Sequence, residues 1–144
     1  MKIGIIKERK TPIDRRVPFS PEQCIALTKQ YPDLTIIVEP SDIRCFKNEE
    51  YTKKGIKLTE DLTDCDILMG VKEVPLSHLI PHKTYFFFSH TIKKQSYNKT
   101  LLQEILSKKI QLIDYETLRH DDNRIVAFGR YAGIVGAYNA LLTY

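Results

Sequence analysis

The sequence predicts an α/β fold, a mainly parallel sheet with helices on both faces, and three observations carry that expectation. Short, nearly continuous apolar runs recur along the 144 residues; segments of helical character lie between them; and the length suits one domain with a single core. Strands that read as uninterrupted apolar runs are those covered on both faces, the habit of parallel sheets closed by helical crossovers.

The elements follow in order. Lys2 to Ile6 starts the chain as an apolar strand. After a charged loop, FSPEQCIALTKQY has Ser20 to cap, Pro21 for the first turn and Gln23 to complete a capping box, so a helix is predicted from Pro21. Leu34 to Val38 is β-branched and apolar, and KNEEYTKKG is a short polar helix that stops at Gly55. Further strands are predicted over Ile67 to Val71, in TYFFF at 84–88, and in IQLIDYE. Before the last of these, SYNKTLLQEILSKK puts Leu101, Leu102, Ile105 and Leu106 on one helical face. RYAGIVGAYNALLTY reads as an apolar, small-residue helix still running at the last residue, and a domain boundary is expected beyond it. The pattern is that of a Rossmann-like three-layer domain.

Composition narrows the function. With 42% hydrophobic and 28% charged residues, and no apolar run near the ~20 residues of a membrane helix, a membrane protein is not expected. The net charge of +4 is scattered among acidic residues, which gives no nucleic-acid stripe. Three widely spaced cysteines, Cys24, Cys45 and Cys65, form neither a disulfide framework nor a zinc site, and no signal peptide is evident. A cytoplasmic setting is expected.

Ligands of open α/β sheets gather at the carboxyl ends of the strands. Two such ends deliver ionisable groups straight after apolar runs: Lys72 and Glu73 after ILMGV, and His90 after YFFFS. An amine and an imidazole sharing a crevice suit proton transfer near neutral pH. A solvated lysine and a hydrogen-bonded structural histidine are the competing readings. His78 and His82 flank Pro81 and are not metal ligands. Gly129, Gly133 and Gly136 do not form G-x-G-x-x-G and suit close helix packing. Arg15 and Arg16 could clamp a carboxylate or simply face solvent. Tyr115, Tyr131, Tyr138 and Tyr144 read as packing residues.

Taken together, KERKTPIDRRVPFSP, DILMGVKEVP, YFFFSHTIK, LIDYETL and VAFGRYAG resemble, in order and spacing, the N-terminal domain shared by alanine dehydrogenases, transhydrogenases and lysine-type saccharopine dehydrogenases. GVKEVP, FFSHTIK, LIDYE and VAFGRYAG are nearest the saccharopine branch, including lysine-ketoglutarate reductase. The resemblance implies Lys72 and His90 as acid-base groups and Arg16 as a ligand of the substrate carboxylate. It implies Lys93 and Arg124 as ligands of a second acidic moiety, and Glu73 and Glu116 as carboxylates that tune the pair.

The implied reaction is hydride transfer between a nicotinamide and a carbon–nitrogen centre. Such enzymes hold NAD or NADP on a second Rossmann domain, so residues 1–144 are expected to be the substrate-side N-terminal part of a longer enzyme. By itself the chain is expected to be inactive and to bind no cofactor. The expected partners are an amino-acid or oxo-acid substrate and the C-terminal Rossmann domain, with no nucleic acid and no membrane. An alanine dehydrogenase-like domain and a non-catalytic module binding an amino acid or a partner protein are the alternatives.

Overall fold

In the computed structural model, which describes residues 1–143, six parallel strands form the sheet. They are β1 (Lys2–Ile5), β2 (Thr35–Val38), β3 (Lys57–Leu58), β4 (Ile67–Met69), β5 (Thr84–Phe87) and β6 (Gln111–Asp114), in the spatial order β3-β2-β1-β4-β5-β6. The first strand therefore lies in the middle. Chain direction across the sheet reverses between β1 and β4, which makes the crevice beyond their carboxyl ends the topological switch point.

Alternation along each strand sorts the core into two layers. Ile3, Ile5, Ile36 and Val38 point to one face, where they meet Cys24 of α1 (Pro21–Gln30) and Tyr51 of α2 (Asn48–Thr52). Leu68, Tyr85 and Phe87 point to the other, against Leu101 and Ile105 of α3 (Lys99–Ser107). The α1 cap forms as its sequence specifies: the Gln23 N–H donates to Ser20 Oγ, and the Ser20 N–H donates to the Gln23 side chain. α2 ends before Gly55, whose φ of 76° is free of the Cβ clash that other residues meet there.

Four expectations need correction. Leu102 and Leu106 are exposed, because α3 rests on a narrow stripe and only Leu101 and Ile105 point at the sheet. β5 is not covered on both faces: Tyr85 and Phe87 are buried, whereas Phe86 is only half-buried because no helix lies over it. The strands predicted through Val71 and Phe88 end at Met69 and Phe87, although the ladder runs on, with the Phe88 N–H donating to Val71 O at 3.0 Å. Tyr131 and Tyr138 are exposed on α4 (Gly129–Leu142), a helix with no buried residue; Tyr115 is buried as expected and Tyr144 lies outside the described residues.

A short antiparallel pair, β7 (Arg119–His120) with β8 (Asn123–Arg124), follows β6 and carries no apolar signal in the sequence. Cys24 and Cys65 are buried and Cys45 is exposed; burial pushes the Cys24 thiol up to about 11. No helix among the described residues is long and apolar enough to cross a membrane, and no group of three or more His, Cys, Asp or Glu is gathered to hold a metal.

Candidate functional site

The switch-point crevice is closed by a side chain. Glu8, just past β1, is buried, and its carboxylate accepts the N–H groups of Val71 at 2.7 Å and Lys72 at 2.9 Å, the two residues that follow Gly70 at the tip of β4. A Cβ at Gly70 would come within 3.3 Å of Glu8 Oε1 and 2.8 Å of Ile6 Cδ1, so glycine is what lets this carboxylate approach. Burial raises the Glu8 carboxyl above its ordinary range, with the amides of Val71 and Lys72 pulling the other way. A dinucleotide pyrophosphate needs free amides and a glycine-rich turn at this point. The residues present do not fit one: the β4-tip amides are already taken by a carboxylate, and the N-terminus of α1 is capped by Ser20.

Ionisable groups collect instead at the tips of β4, β5 and β6. Phe87 pairs in register with Asp114, so the residues after β5 and after β6 emerge side by side. Buried Asp114 fastens them together. Its Oδ2 accepts from the Ser89 hydroxyl and, at 3.3 Å, from the Ser89 N–H, while Oδ1 accepts the Glu116 N–H at 2.8 Å. His90 then turns the chain with φ of 56°, a left-handed conformation that non-glycine residues adopt sparingly. Its carbonyl is held by the buried Asn98 amide at 3.1 Å, and its ring stacks on Phe88 at 6.3 Å between centroids.

The imidazole faces carboxylates on both edges. Nδ1 lies 3.1 Å from Glu116 Oε2, and Nε2 lies 3.9 Å from Glu73 Oε1. Lys93 Nζ is 3.2 Å from the same Nδ1, 3.3 Å from Glu116 Oε1, and Arg124 closes on that oxygen at 3.7 Å. Nδ1 can serve only one neighbour at a time. Protonated, it donates to Glu116; deprotonated, it accepts from Lys93.

Burial alone would raise the Glu116 carboxyl, but hydrogen bonds from His90 and Lys93 outweigh it and hold it below the ordinary glutamate range. A carboxyl depressed in the folded state stabilises the protein fully above its unfolded value, about pH 4.3, and that contribution is lost as pH falls through the lower folded value. Glu116→Gln should therefore lower the urea midpoint at pH 7, with the gap from the parent narrowing toward pH 3. A gap that held or widened in acid would contradict the ion-pair assignment.

Arg16 sits apart from this cluster. Asp14 holds it through paired hydrogen bonds, one of 2.9 Å from Nε to Oδ1, and its guanidinium lies over the Phe128 ring at 4.7 Å from the centroid. The Arg16 side chain holds the Asp14 carboxyl below its usual range. Phe128 in turn packs 5.8 Å from Phe88, which places Arg16 on the same side as the imidazole. Lys72 is half-buried; its N–H goes to Glu8, and among the described residues its ammonium makes no hydrogen bond or ion pair, including to His90. The expected amine–imidazole contact is thus not formed. Its neighbour Glu73 reaches toward the imidazole instead, with a second oxygen bound to Lys10.

The profile of the family described as "Alanine dehydrogenase/PNT, N-terminal domain" matches residues 4–135. The chain belongs to this family. It is 43% identical over 129 residues to the mitochondrial alpha-aminoadipic semialdehyde synthase of Rattus norvegicus, covering 89% of this chain and 14% of that one, and 38% identical over 144 residues to its Arabidopsis thaliana counterpart. With the NAD(+), L-lysine-forming saccharopine dehydrogenase of Emericella nidulans it shares 31% identity over 143 residues, which cover 94% of this chain and 37% of that one. The chain thus spans about a seventh of the semialdehyde synthases it matches. Among solved structures, an L-alanine dehydrogenase superimposes with a TM-score of 0.68 at 20% identity, over 85% of this chain and 34% of that one, and shares the fold.

Within this alanine dehydrogenase/PNT N-terminal domain, sequence reasoning overlooked the residues that position the cluster. Asp114 interrupts an otherwise apolar strand, and a lone acid in such a run is a usable signal. Glu8, Lys10 and Asn98 lie in polar stretches and carry no signal of that kind.

Proposed function

We propose that this chain is the substrate-side, N-terminal domain of a longer amino-acid oxidoreductase of the saccharopine dehydrogenase or lysine-ketoglutarate reductase type. The observation that carries the reading is the joining of His90 and Lys93, after β5, with Glu116 and Arg124, after β6, in a chain similar to an alpha-aminoadipic semialdehyde synthase and a saccharopine dehydrogenase. NAD or NADP, held by the C-terminal Rossmann domain of the same polypeptide, supplies the hydride chemistry. The residues here bind and orient the substrate and manage its protons.

In that role Arg16 pairs with the α-carboxylate, and Lys93 and Arg124, both about half exposed, reach the second acidic group. His90 takes a proton from the water or amine reacting at the carbon–nitrogen centre, and Glu116 steadies the imidazolium. Lys72, whose ammonium has no partner among the described residues, is the amine that meets the substrate. Glu73, next to Lys72 in sequence and 3.9 Å from the imidazole, tunes the pair.

Charge decides between substrates. A substrate with one carboxylate would leave Lys93 and Arg124 sharing Glu116 alone, whereas a second acidic group on the substrate gives both cations a further charge-assisted partner. A complete enzyme bearing this domain is therefore expected to use saccharopine, or lysine with 2-oxoglutarate, at least about 100-fold better in kcat/KM than alanine or pyruvate with ammonia. Steady-state assays with both substrate sets test it. Preference for pyruvate and ammonia would move the assignment to alanine dehydrogenase, and a gene with no G-x-G-x-x-G unit after this region would favour a binding module.

A further inference from the structure

Between β1 and β4 the parallel ladder ends with the Ile6 N–H donating to Met69 O at 3.0 Å. The next donor on that edge is the Val71 N–H, and the chain after Ile6 meets it with a side chain instead of a backbone carbonyl. Glu8 takes the Val71 amide on Oε1 and the Lys72 amide on Oε2. Two consecutive N–H groups turned to one side form an anion-binding concavity. Here the anion is the chain's own.

Burial of this carboxylate is costly, since among the described residues no lysine or arginine pairs with it, and only its hydrogen bonds offset the loss of water. Glutamine would bury without charge but has a single acceptor oxygen, and its NH2 would face the second N–H. The seat asks for a double acceptor. What it secures is the peptide that joins Val71 to Lys72, gripped at both ends: its N–H by Glu8, from the β1 side, and its carbonyl by the Phe88 N–H, from the β5 side. Phe88 lies two residues before His90, so the same peptide is tied to the turn that carries the imidazole. The Lys72 ammonium has no partner among the described residues, and its reach is therefore set by its backbone.

We propose that Glu8 is the positioning residue for Lys72, an internal anion seated on two amides that fixes the peptide bearing the amine relative to the His90 turn. It acts through the Lys72 backbone and touches no reacting atom. The inference rests on the reading of Lys72 as an acid-base group.

The complete enzyme tests it with Glu8→Ala, Lys72→Met and the two combined. Glu8→Ala removes a methylene and a carboxylate, which acetate can replace. Its kcat is expected to fall about 10–100-fold, the cost of a misplaced group, while KM for the amino-acid substrate, set by Arg16, Lys93 and Arg124, changes less than about threefold. Sodium acetate at about 100 mM should restore most of the lost kcat, sodium chloride should not, and the parent should respond to neither. In the Lys72→Met background Glu8→Ala should cost less than about twofold, because its effect passes through Lys72. Losses that multiply across the pair, a Glu8→Ala enzyme with the parent kcat, or a folded one that acetate leaves unchanged would each overturn the proposal. Should the alanine variant not fold, Glu8→Gln keeps the volume and one acceptor; its smaller loss of kcat should likewise vanish in the Lys72→Met background, and a loss that persists there overturns the proposal. Parent turnover in Lys72→Met alone would remove the acid-base reading of that residue, and the proposal with it, a failure distinct from multiplying losses.

Discussion

Replacing His90 by asparagine in a complete enzyme that carries this domain is expected to lower turnover by about 10²–10⁴-fold, the span of a lost general acid or base, and to flatten one limb of the pH profile. Asparagine is the informative substitution because the position needs a left-handed backbone, at φ of 56°, which asparagine tolerates better than most residues. It keeps the turn while removing the group that titrates. Lys72→Met should act on the other limb, since its ammonium has no structural partner to lose among the described residues. Unchanged turnover with unchanged pH dependence would remove His90 from the chemistry. Loss of folding in the asparagine variant would make it a structural histidine.

The second large effect concerns Asp114, which touches no expected substrate group yet holds the site in place. Asp114→Ala orphans the buried Ser89 N–H and Glu116 N–H and leaves the Ser89 hydroxyl only Thr91 to bond with. At about 1–3 kcal/mol for each of the two unsatisfied buried donors, and some recovery through water, the cost should reach about 2–4 kcal/mol in urea unfolding. That is a large part of the stability of a domain this size. Asp114→Asn keeps an acceptor and should lose less. A loss under about 1 kcal/mol for the alanine variant would show that the strand tips are secured by other means.

Much of the scaffold was legible because local signals and burial agreed. The Ser20–Gln23 box, the stop at Gly55 and the apolar runs around Ile5, Ile37, Leu68 and Phe87 each pointed to the element that formed. Phe86 misled, because a phenylalanine in an apolar run reads the same whether a helix covers it or not; coverage depends on a distant element. The hairpin of β7 and β8 left no trace, since two-residue exposed strands need no apolar residue. At the site, residues after apolar strands were findable by position, and His90 and Glu73 were found so. Of their partners, Glu116 and Lys93 came only with the family resemblance and Lys10 not at all, because its pairing with Glu73, like that of Glu8 with the Val71 amide, joins residues 63 apart in sequence. The missing contact between Lys72 and His90 has a related cause: neighbouring strand tips fix backbones and not where a long, flexible side chain settles.

The distribution of the three thiols makes the loop that bears Arg16 observable without engineering. Cys24 and Cys65 are buried, and burial keeps the first largely protonated at working pH, whereas Cys45 is exposed. Its N–H is bound to the carbonyl of Arg15 at 2.8 Å, next to the arginine that is paired with Asp14. A maleimide dye added to the native protein would therefore mark one place, on the segment that must adjust if Arg16 trades its internal carboxylate for that of a substrate. Its emission would follow the docking of an amino acid in real time, without any need for turnover.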